Sequence, residues 1–159
     1  MKKLTKLLRL DPGELGTLAQ AVILLPLTAL ALRLAGLRRS QRIFSRLIFP
    51  GGPHDPARKI EWSETAIAQA LRISRLVSVA ARHGVYPANC LQRSLALWWM
   101  LRRRGIESEL QFGARKTDGR FEAHAWIEVA GVVLNDSDDV RLCYTPFDRA
   151  ITVVEAGRR

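Results

Sequence analysis

Two stretches decide the fold: PANCLQRSLALWWMLRRRGI at residues 87–106 and FEAHAWIEVAGVVLND at residues 121–136. The first is typical of a buried helix, because Asn89 is a good N-cap residue and residues 95–101 are apolar on nearly every side. In the second stretch, small and apolar residues alternate with His, Trp and Glu, so the two groups would lie on opposite faces of a strand. A glycine-containing turn follows this strand, as in an antiparallel hairpin. The sequence therefore predicts an α+β fold in which one central helix packs against a small sheet.

Cys90 occupies the first position of the predicted helix, where the backbone N–H groups have no partner within the helix. This environment favours the thiolate, which is the nucleophilic form of cysteine, and the Cys90 N–H can donate to an oxyanion. A free cysteine is more often a small buried hydrophobic residue, and that interpretation is favoured if Cys90 is taken alone. The catalytic interpretation therefore depends on the residues of the hairpin.

His124 and Asp136 are the candidate partners of Cys90 in the hairpin. His124 lies on the second predicted strand, and Asp136 follows the third. We predict a three-residue loop with Gly131 in the left-handed conformation, because this register places His124 opposite Asp136. A two-residue turn would place Ala125 there instead and would point the carboxylate to the other face of the sheet.

In the predicted register, Asp136 would fix the tautomer of His124, and His124 would activate Cys90. Opposed residues on neighbouring strands have Cβ atoms about 4.5–5.5 Å apart, which lets a carboxylate reach an imidazole nitrogen. Each residue also has an ordinary explanation, His124 as a structural histidine and Asp136 as part of the polar turn NDSDD at residues 135–139. The order Cys, His, Asp on helix, strand and strand favours the catalytic interpretation of all three.

The pattern resembles the transglutaminase-like leader peptidases of lasso-peptide biosynthesis, known as B proteins, and specifically the peptidase half of split B proteins. The resemblance rests on CLxxSLAL followed by a long apolar helix, RRxGI, FxAHAW[IV]E and GxxxND, and it covers about residues 77–139. The triad of that family is Cys, His and Asp, which matches Cys90, His124 and Asp136. The resemblance implies a transglutaminase/papain-like fold, with a mostly helical N-terminal half packed on the central helix and sheet.

The resemblance also implies that the chain is a cysteine peptidase that cuts a ribosomally made precursor peptide between leader and core through a thioester on Cys90. A separate leader-binding recognition protein would deliver the leader, and a cyclase resembling asparagine synthetase would close the lactam ring. No recognition element is visible in the 159 residues, as expected for the split arrangement. Two alternatives use the same scaffold: acyl transfer of the transglutaminase type, in which an amine replaces water, and a non-catalytic peptide-binding adaptor.

Length and composition indicate one globular domain, which we divide into a helical N-terminal region at residues 1–53 and the peptidase core at residues 54–159. The boundary lies within PGGPHDP at residues 50–56, a helix-breaking loop. The net charge is +10, and residues 1–50 hold nine Lys and Arg against two acidic residues. This basic region could contact an acidic leader or anionic lipid, whereas nucleic acid is disfavoured because no nucleic-acid-binding motif is present.

The uncharged run LGTLAQAVILLPLTALAL at residues 15–32 is near the lower limit of length for a membrane span. We predict that it forms a buried helix, broken or kinked near Pro26, that packs on the catalytic unit. A membrane anchor flanked by basic residues is the second interpretation. A cleaved signal peptide is disfavoured, because Asp11 and Glu14 precede the run.

The remaining features have structural explanations. The two cysteines are far apart and show no disulfide pattern, which favours a reducing, cytoplasmic compartment with Cys143 as a spectator. No CxxC pair, HExxH or glycine-rich phosphate loop occurs, so the sequence predicts neither a metal nor a nucleotide cofactor. Trp98, Trp99 and Trp126 are expected in the core, although Trp126 shares a strand face with His124. Residues 144–147 are predicted to form a turn, and residues 150–155 an edge strand.

Overall fold

The computed structural model describes residues 11–48, 63–84, 86–117 and 119–147, and of residues 38 and 41–48 it describes the backbone alone. The described elements are α1 (Pro12–Ile48), α2 (Glu64–His83), α3 (Cys90–Arg102), β1 (Glu109–Thr117), β2 (Arg120–Val129), β3 (Val132–Val133), α4 (Val140–Cys143) and β4 (Thr145–Pro146). The strands form one antiparallel sheet in the order β3-β2-β1-β4. The prediction of an α+β fold is confirmed.

Some predictions fall outside the described residues. These are the helix-breaking loop at residues 50–56, the domain boundary after residue 53 within it, and the edge strand at residues 150–155. The division of the chain into two regions therefore stays a prediction.

Helix α3 is capped at both ends, and the predicted N-cap residue, Asn89, caps its start. At its start, Gln92 N donates to Asn89 Oδ1 over 2.9 Å, and Asn89 N donates to Gln92 Oε1 over 3.0 Å, which forms a capping box. At its end, Ile106 N donates to the carbonyl oxygen of Leu101 over 3.0 Å and closes the last turn. Every residue from 94 to 101 is buried. The prediction of a buried central helix is confirmed.

Helices α1 and α2 pack on α3 and form the core together with one face of the sheet. Leu25 on α1, Val77 on α2 and Ile127 on β2 are each no more than 1% exposed. Burying an apolar side chain of this size stabilises the folded state by about 1.5–3 kcal/mol. Just beyond α3, Arg104 donates to Thr17 Oγ1 over 3.2 Å and ties the end of the central helix to α1.

Helix α1 is interrupted at a different place from the one predicted. The backbone stays helical through Pro26 and leaves the helical conformation at Gly36, where φ is 68° and ψ is 173°. A proline inside a helix removes one hydrogen bond, but Leu25 and Thr28 on either side of it are buried and hold the helix against the core. A break near Pro26 is therefore wrong, whereas a kink there stays a prediction; the helix is interrupted at Gly36, a glycine that tolerates a positive φ.

The two faces of α1 have different environments. Leu25 is buried, whereas Ile23 and Leu34 on the opposite face are 62% and 77% exposed. The segment Pro12–Leu37 is long and apolar enough to cross a membrane by length and composition, with a mean hydropathy of 2.0 in its most apolar window. The predicted packing on the core is thus made by one face only, and membrane association through residues 15–32 stays a prediction.

The hairpin that carries His124 has a different register from the one predicted. Val129 pairs with Val132 across the turn, and the turn residues Ala130 and Gly131 have φ values of 50° and 80°. Two positive φ values are the mark of a type I′ turn, whose twist matches that of the flanking strands. The predicted three-residue loop is therefore wrong, because Ala130 adopts a left-handed conformation that residues with a Cβ usually avoid.

Strand β4 lies in a segment that the sequence predicts to be a turn. Its residues, Thr145–Pro146, pair with β1 next to Gly113. A Cβ built on Gly113 would lie 2.9 Å from the Cβ of Tyr144 and 3.0 Å from Cη2 of Trp126. The glycine therefore allows the β4 segment to approach β1 closely, at the position that pairs with His124 on β2.

Gly113→Ala should destabilise the fold, because the added methyl group would lie too close to Tyr144 and Trp126 unless the chain shifts. We expect the free energy of unfolding, measured by urea denaturation, to fall by about 1–3 kcal/mol. Gly16→Ala is the matched control, since its methyl group would make no tertiary contact within 4 Å and alanine in a helix should raise stability by up to about 1 kcal/mol. Equal stability of Gly113→Ala and wild type would contradict the packing described for β4.

Candidate active site

His124 and Asp136 are in direct contact. The Nε2 atom of His124 lies 2.5 Å from Oδ2 of Asp136, and the two side chains are 17% and 23% exposed. The other carboxylate oxygen, Oδ1, accepts from the backbone N–H of Ser137 over 2.9 Å. Asp136 therefore holds the imidazole through Nε2, so Nδ1 is the ring nitrogen that is left to act on a third group.

Asp136 reaches His124 because the chain bends after β3. The backbone pairing extends as far as Leu134, whose N–H donates to the carbonyl oxygen of Ile127 over 2.9 Å. At the next position a side chain replaces the backbone, and Asn135 Oδ1 accepts from Ile127 N over 2.8 Å. This bend ends the pairing with β2 and turns the Asp136 carboxylate towards His124, which an uninterrupted strand in this register would not do.

Half-buried Asn135 and buried Ser94 form a hydrogen-bond chain that joins the hairpin to α3. Asn135 Nδ2 donates to Ser94 Oγ over 2.8 Å, and Ser94 Oγ donates to the carbonyl oxygen of Ala125 over 2.9 Å. Ser94 is completely buried, and its hydroxyl both donates and accepts. These hydrogen bonds therefore fix α3 against β2 at Ala125, the residue next to His124.

Cys90 lies four residues before Ser94, on the same face of α3 and about 6 Å nearer the start of the helix. Its side chain is partly buried and forms no disulfide. The capping box uses the N–H groups of Asn89 and Gln92, which leaves that of Cys90 at the open end of the helix. Within the described part of the chain, no hydrogen bond joins Cys90 to His124.

Of the three predicted site residues, the structure brings two into contact. His124 and Asp136 meet directly, and Cys90 lies one helical turn from the point at which Ser94 fastens α3 to the histidine strand. Among the described residues, no group of three or more His, Cys, Asp or Glu is arranged to hold a metal ion. The groups available for chemistry at this site are therefore a thiol, an imidazole and a carboxylate.

Tyr144 stacks on His124, a contact that the sequence does not predict. The ring centroids are 4.8 Å apart, with an angle of 21° between the planes. The guanidinium of Arg115 also lies over Tyr144, 4.7 Å from its ring centroid. The hydrogen bond to Glu122 raises the pKa of the Arg115 guanidinium, so the cation keeps its charge. The imidazole is therefore held at Nε2 by Asp136 and across its ring by Tyr144.

Trp126 belongs to the core, as predicted. It is 1% exposed, and its Nε1 donates to Glu128 Oε1 over 2.6 Å. The same carboxylate accepts from Arg141 Nε on α4 over 2.7 Å, and this hydrogen bond raises the pKa of Arg141. The ion pair anchors α4 to β2 and fixes Tyr144, which directly follows α4. Trp126 and Glu128 therefore support the ring that covers His124.

Residues 27–149 match the family model of the transglutaminase-like superfamily. The match takes in most of the chain, from within α1 to beyond β4, and the chain belongs to this superfamily. The predicted transglutaminase-like fold is thereby confirmed.

The chain is also similar to the microcin J25-processing protein McjB of Escherichia coli, with 34% identity over 65 residues. The aligned part is 41% of this chain and 30% of McjB, so the chain spans about a third of the length of that relative. This similarity, together with the superfamily match, confirms the resemblance to the B proteins of lasso-peptide biosynthesis. No solved structure is significantly similar to the chain.

Ser94→Ala should lower the free energy of unfolding by about 1–3 kcal/mol, because the half-buried Asn135 side-chain amide would lose its acceptor. Urea denaturation measures this change. Ser137→Ala is the control, since this exposed serine bonds Asp136 through its backbone N–H and should stay within about 0.5 kcal/mol of wild type. If Ser94→Ala were as stable as wild type, the hydrogen-bond chain would not be what holds α3 to the hairpin.

Proposed function

We propose that this protein is a cysteine peptidase that removes the leader from a ribosomally made lasso-peptide precursor. Cys90 is the nucleophile, His124 transfers protons, and Asp136 orients His124. The observation that carries this proposal is the 2.5 Å contact between His124 and Asp136, on a hairpin that Ser94 fastens to the helix beginning at Cys90. A half-buried imidazole–carboxylate pair and a cysteine at a helix N-terminus are the groups that thiol catalysis needs.

The first half of the reaction forms a thioester. His124 Nδ1 accepts the thiol proton of Cys90, and the sulfur attacks the carbonyl carbon of the scissile peptide bond. The resulting oxyanion accepts a hydrogen bond from the Cys90 backbone N–H at the open end of α3. As the C–N bond breaks, the imidazolium gives its proton to the leaving nitrogen. The core peptide departs as a free amine, and the leader remains on Cys90 as a thioester.

The second half of the reaction releases the leader. His124 takes a proton from water, and the water oxygen attacks the thioester carbonyl carbon. The C–S bond then breaks, the sulfur of Cys90 recovers the proton from His124, and the leader departs with a free carboxyl group. Asp136 stabilises the imidazolium in both halves, because its Oδ2 is bonded to Nε2 of His124.

The choice of substrate is supported by the similarity to McjB, whose name describes processing of microcin J25. Two residues of the shared motifs also build the site. Ser94 in CLxxSLAL joins α3 to β2, and Asn135 in GxxxND ends the strand pairing just before Asp136. As partners we propose the precursor peptide, a separate leader-binding recognition protein and the cyclase that closes the lactam ring.

Location and domain organisation form part of the same proposal. The peptidase core at residues 54–159 is preceded by a helical region at residues 1–53, whose helix α1 packs on α3. The protein acts in the cytoplasm, where thiols stay reduced. Any contact with a membrane is made by the exposed apolar face of residues 15–32.

Mass spectrometry tests the proposal on a mixture of the protein, a lasso-peptide precursor and a leader-binding partner. Wild type should cut a single leader–core bond, and Cys90→Ala should give no product. Asp136→Asn should cut about 10²–10⁴-fold more slowly, because His124 would lose the carboxylate that stabilises its charged form. Cys143→Ala is the matched control, since this cysteine is exposed and should be dispensable for cleavage.

Cleavage by Cys90→Ala would contradict the assignment of the nucleophile. Binding of the leader with no cleavage by wild type would favour the non-catalytic adaptor. A product in which an amine replaces the hydroxyl group of the leader carboxyl would favour acyl transfer.

A further inference from the structure

A cationic cavity opens beside the His124–Asp136 pair. It has a volume of about 480 Å³ and lies between α2, the first turns of α3 and the loop that follows β3. Arg75, Arg82 and Arg93 line it, and Asp136 forms part of its wall. The cavity therefore shares Asp136 with the candidate active site.

The charges around this cavity are unbalanced. Its three arginines face the single carboxylate of Asp136, whose oxygens are already bonded to His124 and Ser137. None of the three arginines forms an ion pair with a carboxylate in the described ranges of the chain, whereas Arg72 on the same helix pairs with two. The positive charge of the three arginines therefore exceeds the negative charge that the described lining supplies.

Arg93 supplies an independent observation. Its Nε atom is buried and has no hydrogen-bond partner among the described residues. A buried donor without an acceptor is unfavourable, and a small movement of this half-buried, cavity-lining side chain would let an acceptor in the cavity reach it. The planar guanidinium binds a carboxylate through two parallel hydrogen bonds, which makes a carboxylate the ligand that fits best.

The cavity also lies within reach of a peptide bound at Cys90. Arg93 follows Cys90 by three residues on α3, so their Cβ atoms lie about 5–6 Å apart. An extended peptide advances about 3.3 Å per residue. A substrate side chain in the cavity therefore belongs to a residue close to the bond that Cys90 attacks.

We propose that this cavity binds an acidic side chain of the peptide substrate, located within about three positions of the scissile bond. Arg75 and Arg93 hold its carboxylate, and Arg82 contributes positive charge at the rim. The inference rests on the proposed function, since it requires that Cys90 attacks a peptide. The arginines then determine which sequence is cut, because they bind a side chain away from the reacting atoms.

Irreversible labelling of Cys90 tests the proposal on the full chain. The probes are epoxysuccinates that carry a peptide on both sides of the electrophile. They are made in pairs that differ only in having Glu or Gln at one position, and the position is varied over three residues on either side. Mass spectrometry of the intact protein gives the labelling rate. At one position the Glu probe should label wild type about tenfold faster than its Gln twin, as a charge-assisted hydrogen bond allows. Arg75→Gln and Arg93→Gln should each abolish the preference.

Arg72→Gln is the matched control, because it removes an arginine from the same helix outside the cavity and should keep the preference. Labelling by iodoacetamide needs no peptide site and reports whether Cys90 is equally accessible in every variant. If Arg93→Gln fails to fold, Arg75→Gln carries the test alone, because position 75 is exposed.

Equal labelling rates for every Glu and Gln twin would overturn the acidic-residue site and leave the peptidase proposal standing. A preference for Glu that survives in both Arg75→Gln and Arg93→Gln would also overturn it, because the charge would then be recognised elsewhere. Labelling by iodoacetamide and by no peptidyl probe would instead overturn the proposal that Cys90 acts on peptides.

Discussion

The hydrogen bonds of buried Ser94 and half-buried Asn135 are the constraint on which the rest of the site depends. A serine in an apolar helix and an asparagine at a strand end are unfavourable when they are buried alone. Bonded to each other, to Ala125 O and to Ile127 N, they hold the helix, the histidine strand and the aspartate loop in one arrangement. A shift of any one of these elements would leave a buried polar group without a partner, so the fold specifies the arrangement strongly.

The candidate catalytic groups lie at the margin of this chain of hydrogen bonds, where a substrate can reach them. Each catalytic candidate is close in sequence to a residue of this hydrogen-bond chain. Cys90 lies one helical turn before Ser94, His124 directly precedes Ala125, and Asp136 directly follows Asn135. Reactive groups that are partly exposed and mounted on rigid, fully bonded elements keep their geometry as substrate binds. The ring of Tyr144 stacks on His124, and the arginine-lined cavity borders Asp136, so both features adjoin the same His–Asp pair.

The parts of this structure that depend on local signals could be predicted from the sequence. Asn89 and Gln92 mark the start of α3, and the spacing of His124 in its strand gives its face. The hairpin register could not be predicted, because it depends on a left-handed Ala130 and on a side chain, Asn135, that takes the place of the strand backbone. Similarly, burial around Pro26 outweighs its local preference to break a helix. The contact of Tyr144 with His124 depends on packing between distant segments. The sequence signal for it is Gly113, which pairs with His124 and leaves room for the Tyr144 segment.

Acid-quenched mass spectrometry of the protein during turnover tests most directly whether Cys90 carries the acyl group. We expect a transient adduct on the Cys90-containing peptide with the mass of the leader minus water, which hydroxylamine removes because it cleaves thioesters. An adduct on any other residue, or a burst of product without an adduct on Cys90, would contradict covalent catalysis by this cysteine.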